Sequence, residues 1–119
     1  MILAVDASAV AAVVFGEPEA DEMANYFEDE TLVAPALIDF ELANVGLKKL
    51  RRRPEQAADI IAALKRAAGM RIDRVAVSPV EVLKLAAQTG LSVYDAAYLC
   101  VAISKDAELV TLEIGRAHV

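Results

Sequence analysis

The alternation of short apolar runs with longer helix-forming segments constrains this chain more than any other feature. Four apolar runs predict strands, at residues 2–5, 32–34, 72–77 and 109–111. Strands that alternate with helical segments predict an α/β sandwich with a mostly parallel sheet. Because ligands bind beside the carboxyl ends of the strands in such sheets, the residues that follow each strand are the first candidates for a site.

Residues with helical patterns fill the intervals between these runs. They predict helices over residues 7–15, 17–29, 36–52, 54–68, 79–89 and 93–105. Glycines end three of these helices, Pro54 begins one, and Ser92 precedes the last as an N-cap. The 119 residues are 57% hydrophobic, which provides a core for one domain and excludes a disordered chain.

Several classes of function lack the residues that they need. His118 in the tail is the only histidine, which argues against histidine general bases and Ser-His-Asp triads. Cys100 lies among apolar residues of a predicted helix, which indicates core packing. No glycine-rich phosphate loop is present. With neither a basic leader nor a long apolar span, a cytoplasmic location without membrane contact is expected.

The net charge of −6 argues against broad attraction to nucleic acid, but the charge is not evenly distributed. Five of the twelve basic residues lie within six positions: Lys48, Lys49, Arg51, Arg52 and Arg53. One interpretation is a solvated helix end, since cations favour a helix C-terminus. The other is a contact with RNA phosphates or with an acidic partner.

Asp6 directly follows the first strand and precedes an apolar helix. Burying a lone carboxylate there would be costly, so it needs a partner. Asp6 has two interpretations at this stage: an N-cap for the next helix, with Ser8 sharing that role, or a ligand at the strand end.

Glu41 lies in a predicted helix that is otherwise rich in apolar residues. At 100° per residue, one stripe of that helix contains Leu37, Glu41, Asn44 and Lys48. The stripe faces either water or a polar pocket, and the pattern alone does not choose between them.

Asp95 follows Ser92 by three residues, the spacing of a capping box. It also begins a nearly all-apolar helix, which must be central in the domain. Its carboxylate is therefore expected near the sheet edge that carries Asp6. Tyr94 and Tyr98 are one turn apart and predict packing rather than base stacking. Glu113, two residues after Thr111, is the fourth acidic candidate.

Three or four carboxylates at one strand-end edge would repel one another unless a cation neutralised them. Hard oxygen ligands select Mg²⁺, with Mn²⁺ as the alternative, rather than Zn²⁺. Such a site can activate water and stabilise an in-line phosphoryl displacement. The sequence therefore predicts a metal site at this edge.

The chain resembles a PIN-domain ribonuclease, specifically a VapC-type toxin of a bacterial toxin–antitoxin pair. Four segments carry the resemblance in order and spacing: residues 5–9, 40–45, 91–99 and 109–112. It implies a three-layer PIN-like fold over residues 1–112 and Mg²⁺-dependent endonucleolytic cleavage of RNA. It also implies that Asp6 and Asp95 hold the metal, that Glu41 completes the acidic cluster and that Asn44 is accessory. A cognate antitoxin that blocks the site and a homodimeric state are implied as well.

Residues 113–119 depart from the family pattern. The family has Asp two residues after this Thr, followed by a basic helix and often a last strand, whereas this chain has Glu113. In one back-translation, everything after the first base of the Glu113 codon matches a common short-read sequencing adapter. We therefore expect a non-native tail, a lost fifth strand and a Glu113 that stands where Asp belonged.

Two alternatives stay open at this stage. A PIN-fold module without catalysis, binding only its antitoxin, fits a chain with an altered tail. A phosphatase with Asp6 as nucleophile fits less well, because Ser8 stands where a second Asp is expected.

Overall fold

Within residues 1–112, the sheet contains four strands, and every neighbouring pair is parallel. The strands are β1 (Ile2–Val5), β2 (Thr31–Pro35), β3 (Ile72–Val75) and β4 (Glu108–Val110), in the spatial order β3-β2-β1-β4. This computed structural model describes residues 1–112. The predicted α/β class and the four predicted strands are confirmed, and the sheet of these residues is wholly rather than mostly parallel; the predicted loss of a fifth strand lies outside the described residues.

The helices lie close to their predicted positions. They are α1 (Ala7–Val14), α2 (Ala20–Phe27), α3 (Ile38–Arg52), α4 (Ala57–Gly69), α5 (Pro79–Thr89) and α6 (Val93–Ser104). The prediction placed the start of α2 at Glu17, three residues too early. A residue before proline is disfavoured in the helical region, so Glu17 lies outside the helix, and a turn at Pro18 and Glu19 precedes α2. None of the helices within residues 1–112 is long and apolar enough to cross a membrane.

Helices cover both faces of the sheet. Successive side chains of a strand point to opposite faces, and β1 follows this rule. Leu3 and Val5 pack with α1, α3 and α4 in one cluster, whereas Ala4 packs with Val101 and Ala102 of α6 in another. α5 packs on α6 through a third cluster. The result is three layers with the sheet in the middle.

The parallel arrangement determines where a site can form. All four strands end at the same edge of the sheet, so the residues after β1, β2 and β4 converge there. α1 begins directly after β1, and α3 begins three residues after β2. Asp6, the first turn of α3 and the residues after β4 therefore lie at one edge.

Gly46 lies where α3 packs against α4. A Cβ placed there would lie 3.3 Å from Leu64 Cδ1 and 3.4 Å from Ile60 Cγ2. We expect Gly46→Leu to lower the free energy of unfolding by about 1–3 kcal/mol, because the added side chain overpacks this contact. Urea denaturation measures the change. Ala43→Leu, at an exposed position of the same helix, is the matched control and should change stability by less than about 0.5 kcal/mol. Equal effects of the two variants would contradict this account of the helix contact.

Candidate active site

Asp6 is a buried carboxylate that caps α1. Only 1% of the residue is exposed, and it is the one buried charged side chain within residues 1–112. Its Oδ1 accepts hydrogen bonds from the backbone N–H of Ala9, at 3.0 Å, and from Ser8 Oγ, at 2.7 Å. The capping interpretation is therefore correct for Asp6. The hydroxyl of Ser8 donates to Asp6 instead of capping the helix itself.

Ser8 also connects this carboxylate to the end of β4. Its Oγ accepts a hydrogen bond from the backbone N–H of Leu112, at 3.0 Å, and lies 3.3 Å from Thr111 Oγ1. The backbone N–H of Asp6 donates to the carbonyl of Val110, at 3.2 Å. The ends of β1 and β4 are thus held together around the Asp6 carboxylate, which places the segment after β4 beside it.

Asp95 lies in the first turn of α6 and shares a small cavity with Asp6. Its backbone N–H donates to Ser92 Oγ, at 3.0 Å, so Ser92 is the N-cap that the sequence predicted. The half-buried Asp95 and the buried Asp6 both line the cavity. The remaining lining residues are Leu91, Tyr98, Leu99 and Leu109. The structure therefore brings together two of the acidic residues that the sequence singled out.

Glu41, in the first turn of α3, joins this arrangement through Tyr98. The Tyr98 hydroxyl donates to Glu41 Oε1 at 2.6 Å. Tyr98 is 2% exposed, packs in the same cluster as Leu42 and lines the cavity with Asp6 and Asp95. The prediction that Tyr98 packs is correct, but the sequence reading missed its contact with Glu41. The only signal was the three-residue spacing from Asp95, which places both side chains on one face of α6.

Glu41 also lines a larger groove beside the cavity, with a volume of about 700 Å³. Ser8, Asn44 and Lys48 line it too, so the polar stripe predicted for α3 faces a pocket. The aromatic side chains Phe40 and Tyr94 lie on its wall and are 80% and 64% exposed. Tyr94 was expected to pack, and its exposure in the first turn of α6 corrects that expectation.

The basic run at the end of α3 divides into residues with different surroundings. Lys49 forms an ion pair with Glu17 at 2.6 Å and lies 5.1 Å from the centre of the Phe15 ring. Lys48 is exposed and lines the groove. Three arginines are exposed at or just after the end of α3, where the helix dipole favours positive charge: Arg51, Arg52 and Arg53. Lys48 is thus the member of the run that faces the candidate site.

The donor chemistry of this edge fits a hard divalent cation. The carboxylates Asp6 and Asp95 share the cavity, and Glu41 is linked to it through Tyr98. Oxygen donors of this kind suit Mg²⁺ or Mn²⁺. Within residues 1–112, however, no three acidic, histidine or cysteine side chains are grouped closely enough to hold a metal by themselves. Glu113, the fourth predicted ligand, lies outside the described residues.

Comparison with known protein families identifies the family to which this chain belongs. The PIN domain family matches residues 3–115, nearly the whole sequence. The chain belongs to the PIN-domain family. PIN domains are generally metal-dependent nucleases, which agrees with carboxylates gathered at the ends of parallel strands.

A solved PIN-like structure agrees with this assignment. The crystal structure of PAE2754 from Pyrobaculum aerophilum superposes with a TM-score of 0.78 and 28% sequence identity. The match covers 97% of this chain and 81% of that one. A search of curated proteins found no significant sequence match.

The capping role of Asp6 predicts that two substitutions differ in stability. Asp6→Ala removes the oxygen that accepts from Ala9 and should lower the free energy of unfolding by about 0.5–2 kcal/mol. Asp6→Asn keeps an acceptor oxygen and should lower the free energy of unfolding by clearly less than Asp6→Ala does. Chemical denaturation of both variants measures the difference. If Asp6→Asn were as destabilising as Asp6→Ala, the negative charge rather than the cap would be what stabilises this PIN domain.

Proposed function

We propose that this PIN domain is a Mg²⁺-dependent endoribonuclease and the toxin component of a VapC-type toxin–antitoxin pair. The observation that carries the proposal is the shared cavity of Asp6 and Asp95 at the carboxyl ends of the strands. Family membership supports nuclease chemistry. The resemblance of residues 5–9, 40–45, 91–99 and 109–112 to VapC-type toxins supports RNA as the substrate.

In this proposal, Asp6 and Asp95 hold the metal and Glu41 completes the site. Bound Mg²⁺ supplies Lewis-acid chemistry: it stabilises charge on the phosphoryl oxygens and makes water a better nucleophile at neutral pH. The residues of the chain orient the reactants. Asp6 is fixed by Ala9 and Ser8, and Glu41 by Tyr98, so little carboxylate movement is needed on binding. Glu41 accepts the proton of the attacking water as the P–O bond to the leaving ribose oxygen breaks, and that oxygen takes a proton from solvent.

The first test is loss of cleavage with retention of the fold. Asp6→Asn and Asp95→Asn should each slow Mg²⁺-dependent cleavage of RNA about 100-fold or more, since losing ~3 kcal/mol of transition-state stabilisation has that effect. Rates on a labelled RNA, with and without EDTA, measure the loss, and circular dichroism checks the fold.

Asp21→Asn is the matched control for these variants. Asp21 is exposed in the first turn of α2 and lines neither the cavity nor the groove. Its substitution should leave the cleavage rate unchanged. Wild-type rates from Asp6→Asn or Asp95→Asn would refute the roles given to these carboxylates.

The groove suits an RNA strand with unpaired bases. Phe40 and Tyr94 expose their rings beside Glu41, and aromatic rings bind unpaired bases by stacking. Glu17, Glu19 and Glu41 make the groove acidic, and Lys48 is the basic residue among its described lining. The phosphates would therefore depend on the bound cation for neutralisation, which agrees with a strict metal requirement.

Removing an exposed ring tests this use of the groove. Phe40→Ala should raise the KM for an unstructured RNA about tenfold, because stacking on an aromatic side chain contributes ~1–3 kcal/mol per base. The kcat should change little, since Phe40 does not line the cavity that Asp6 and Asp95 share. Ile61→Ala, at another exposed apolar position, is the control. An unchanged KM in Phe40→Ala would assign this ring to a protein contact instead.

The antitoxin and a second copy of the chain are the partners in this proposal. The groove has apolar walls and acidic residues, which suits a basic amphipathic segment of an antitoxin. Exposed apolar side chains of α5 and α6, among them Val80, Leu83 and Val93, support a homodimer. A gene for a small antitoxin next to the gene of this chain would support the first assignment. A mass of two chains in solution would support the second.

The second candidate function is a PIN-fold module that binds an antitoxin without cleaving RNA. It is favoured by the lack, within residues 1–112, of three side chains grouped to hold a metal. The two functions give different results in one experiment. Antitoxin binding with no cleavage at saturating Mg²⁺ and Mn²⁺ supports the module, whereas metal-dependent cleavage abolished by Asp6→Asn supports the nuclease.

A further inference from the structure

A buried hydrogen bond joins the helix that carries Asp95 to the helix that carries Glu41. The Tyr98 hydroxyl donates to Glu41 Oε1 at 2.6 Å, short enough for a bond strengthened by the charge of a carboxylate. Within residues 1–112, Tyr98 is the one side chain that donates a hydrogen bond to this carboxylate. The orientation of the Glu41 side chain therefore depends on Tyr98.

The position of Tyr98 relates this hydrogen bond to the candidate metal site. Tyr98 lies one turn after Asp95 on α6 and lines the cavity with Asp6 and Asp95. The residue is 2% exposed and belongs to the same core cluster as Leu3, Val5 and Leu42, so its ring has little room to move. One rigid side chain thus borders the two aspartates and holds the third carboxylate.

We propose that Tyr98 is the positioning residue for Glu41, and that it acts on metal binding through that carboxylate. This inference rests on the proposed nuclease function. A glutamate side chain loses considerable rotamer freedom when it is fixed, and a hydrogen bond present before metal binding removes that cost in advance. Tyr98 holds one carboxylate oxygen, which leaves the other to face the candidate metal site. Groups that orient metal ligands in this way commonly change metal affinity when they are removed.

The experiment measures Mn²⁺ binding to the intact chain by electron paramagnetic resonance, without RNA. Tyr98→Phe keeps the ring and its packing but removes the hydroxyl. It should weaken Mn²⁺ binding about 10- to 100-fold, the usual effect of losing a partner of a metal ligand. RNA cleavage by the same variants is the second readout.

Tyr26→Phe is a closely matched control. The Tyr26 hydroxyl also donates to a carboxylate, that of Glu108. Glu108 begins β4, so this pair lies at the opposite edge of the sheet from the candidate site. Tyr26→Phe makes the same chemical change and should leave Mn²⁺ affinity unchanged.

A double variant separates positioning from a general structural effect. If Tyr98 acts through Glu41, then adding Tyr98→Phe to Glu41→Gln should change Mn²⁺ affinity by less than about twofold, since the two effects are not independent. Fully additive losses would show that Tyr98 supports the site by another route. If Tyr98→Phe does not fold, Glu41→Asp performs the test, because its shorter side chain withdraws the carboxylate from the hydroxyl and should weaken binding similarly.

The outcomes distinguish this inference from the proposed function. Wild-type Mn²⁺ affinity in Tyr98→Phe overturns the inference while the nuclease proposal stands. Weakened binding in Tyr98→Phe, with no RNA cleavage by the wild-type chain, supports the positioning role and overturns the nuclease. A wild-type chain that binds no Mn²⁺ overturns both.

Discussion

The structure at the candidate site depends on the burial of the Asp6 carboxylate. A buried carboxylate is costly unless hydrogen-bond donors surround it, and Ala9 and Ser8 provide two. Ser8 in turn accepts from the backbone of Leu112, so satisfying Asp6 also fixes the segment after β4. One group therefore caps α1, connects two neighbouring strands and anchors the acidic edge.

The two helical layers contact each other beyond the carboxyl ends of the strands, and the candidate site lies at this contact. α6 covers one face of the sheet, yet its Tyr98 packs in the cluster of the opposite layer and donates to Glu41 of α3. Such a crossing is available only where the sheet ends, because strands separate the layers elsewhere. The fold thus brings carboxylates of three elements to the same end of the sheet without a long loop.

The acidic groove suits the proposed metal-dependent nuclease better than it suits a protein that binds nucleic acid through a positive surface. Glutamates line the groove, and of the basic run on α3 only Lys48 faces it; Lys49 is paired with Glu17. In the proposed function, an RNA strand would gain its attachment from a bound cation and from exposed rings rather than from a positive surface. The net charge of −6 is consistent with that division.

The sequence by itself determined the order of strands and helices, the helix caps, and the identity of Asp6, Glu41 and Asp95 as candidates. These follow from local rules, since apolar runs, prolines, glycines and the Ser92–Asp95 spacing act over a few residues. Only the tertiary structure decided which functions those residues combine. The pairing of β1 with both β2 and β4, the cavity shared by Asp6 and Asp95, and the hydrogen bond from Tyr98 to Glu41 join residues up to 105 positions apart, as in the pairing of Leu3 with Glu108. No local pattern encodes such contacts, because they arise from the packing of whole layers. The same reason explains why Tyr94 and Tyr98, four residues apart on one helix, differ so much in exposure.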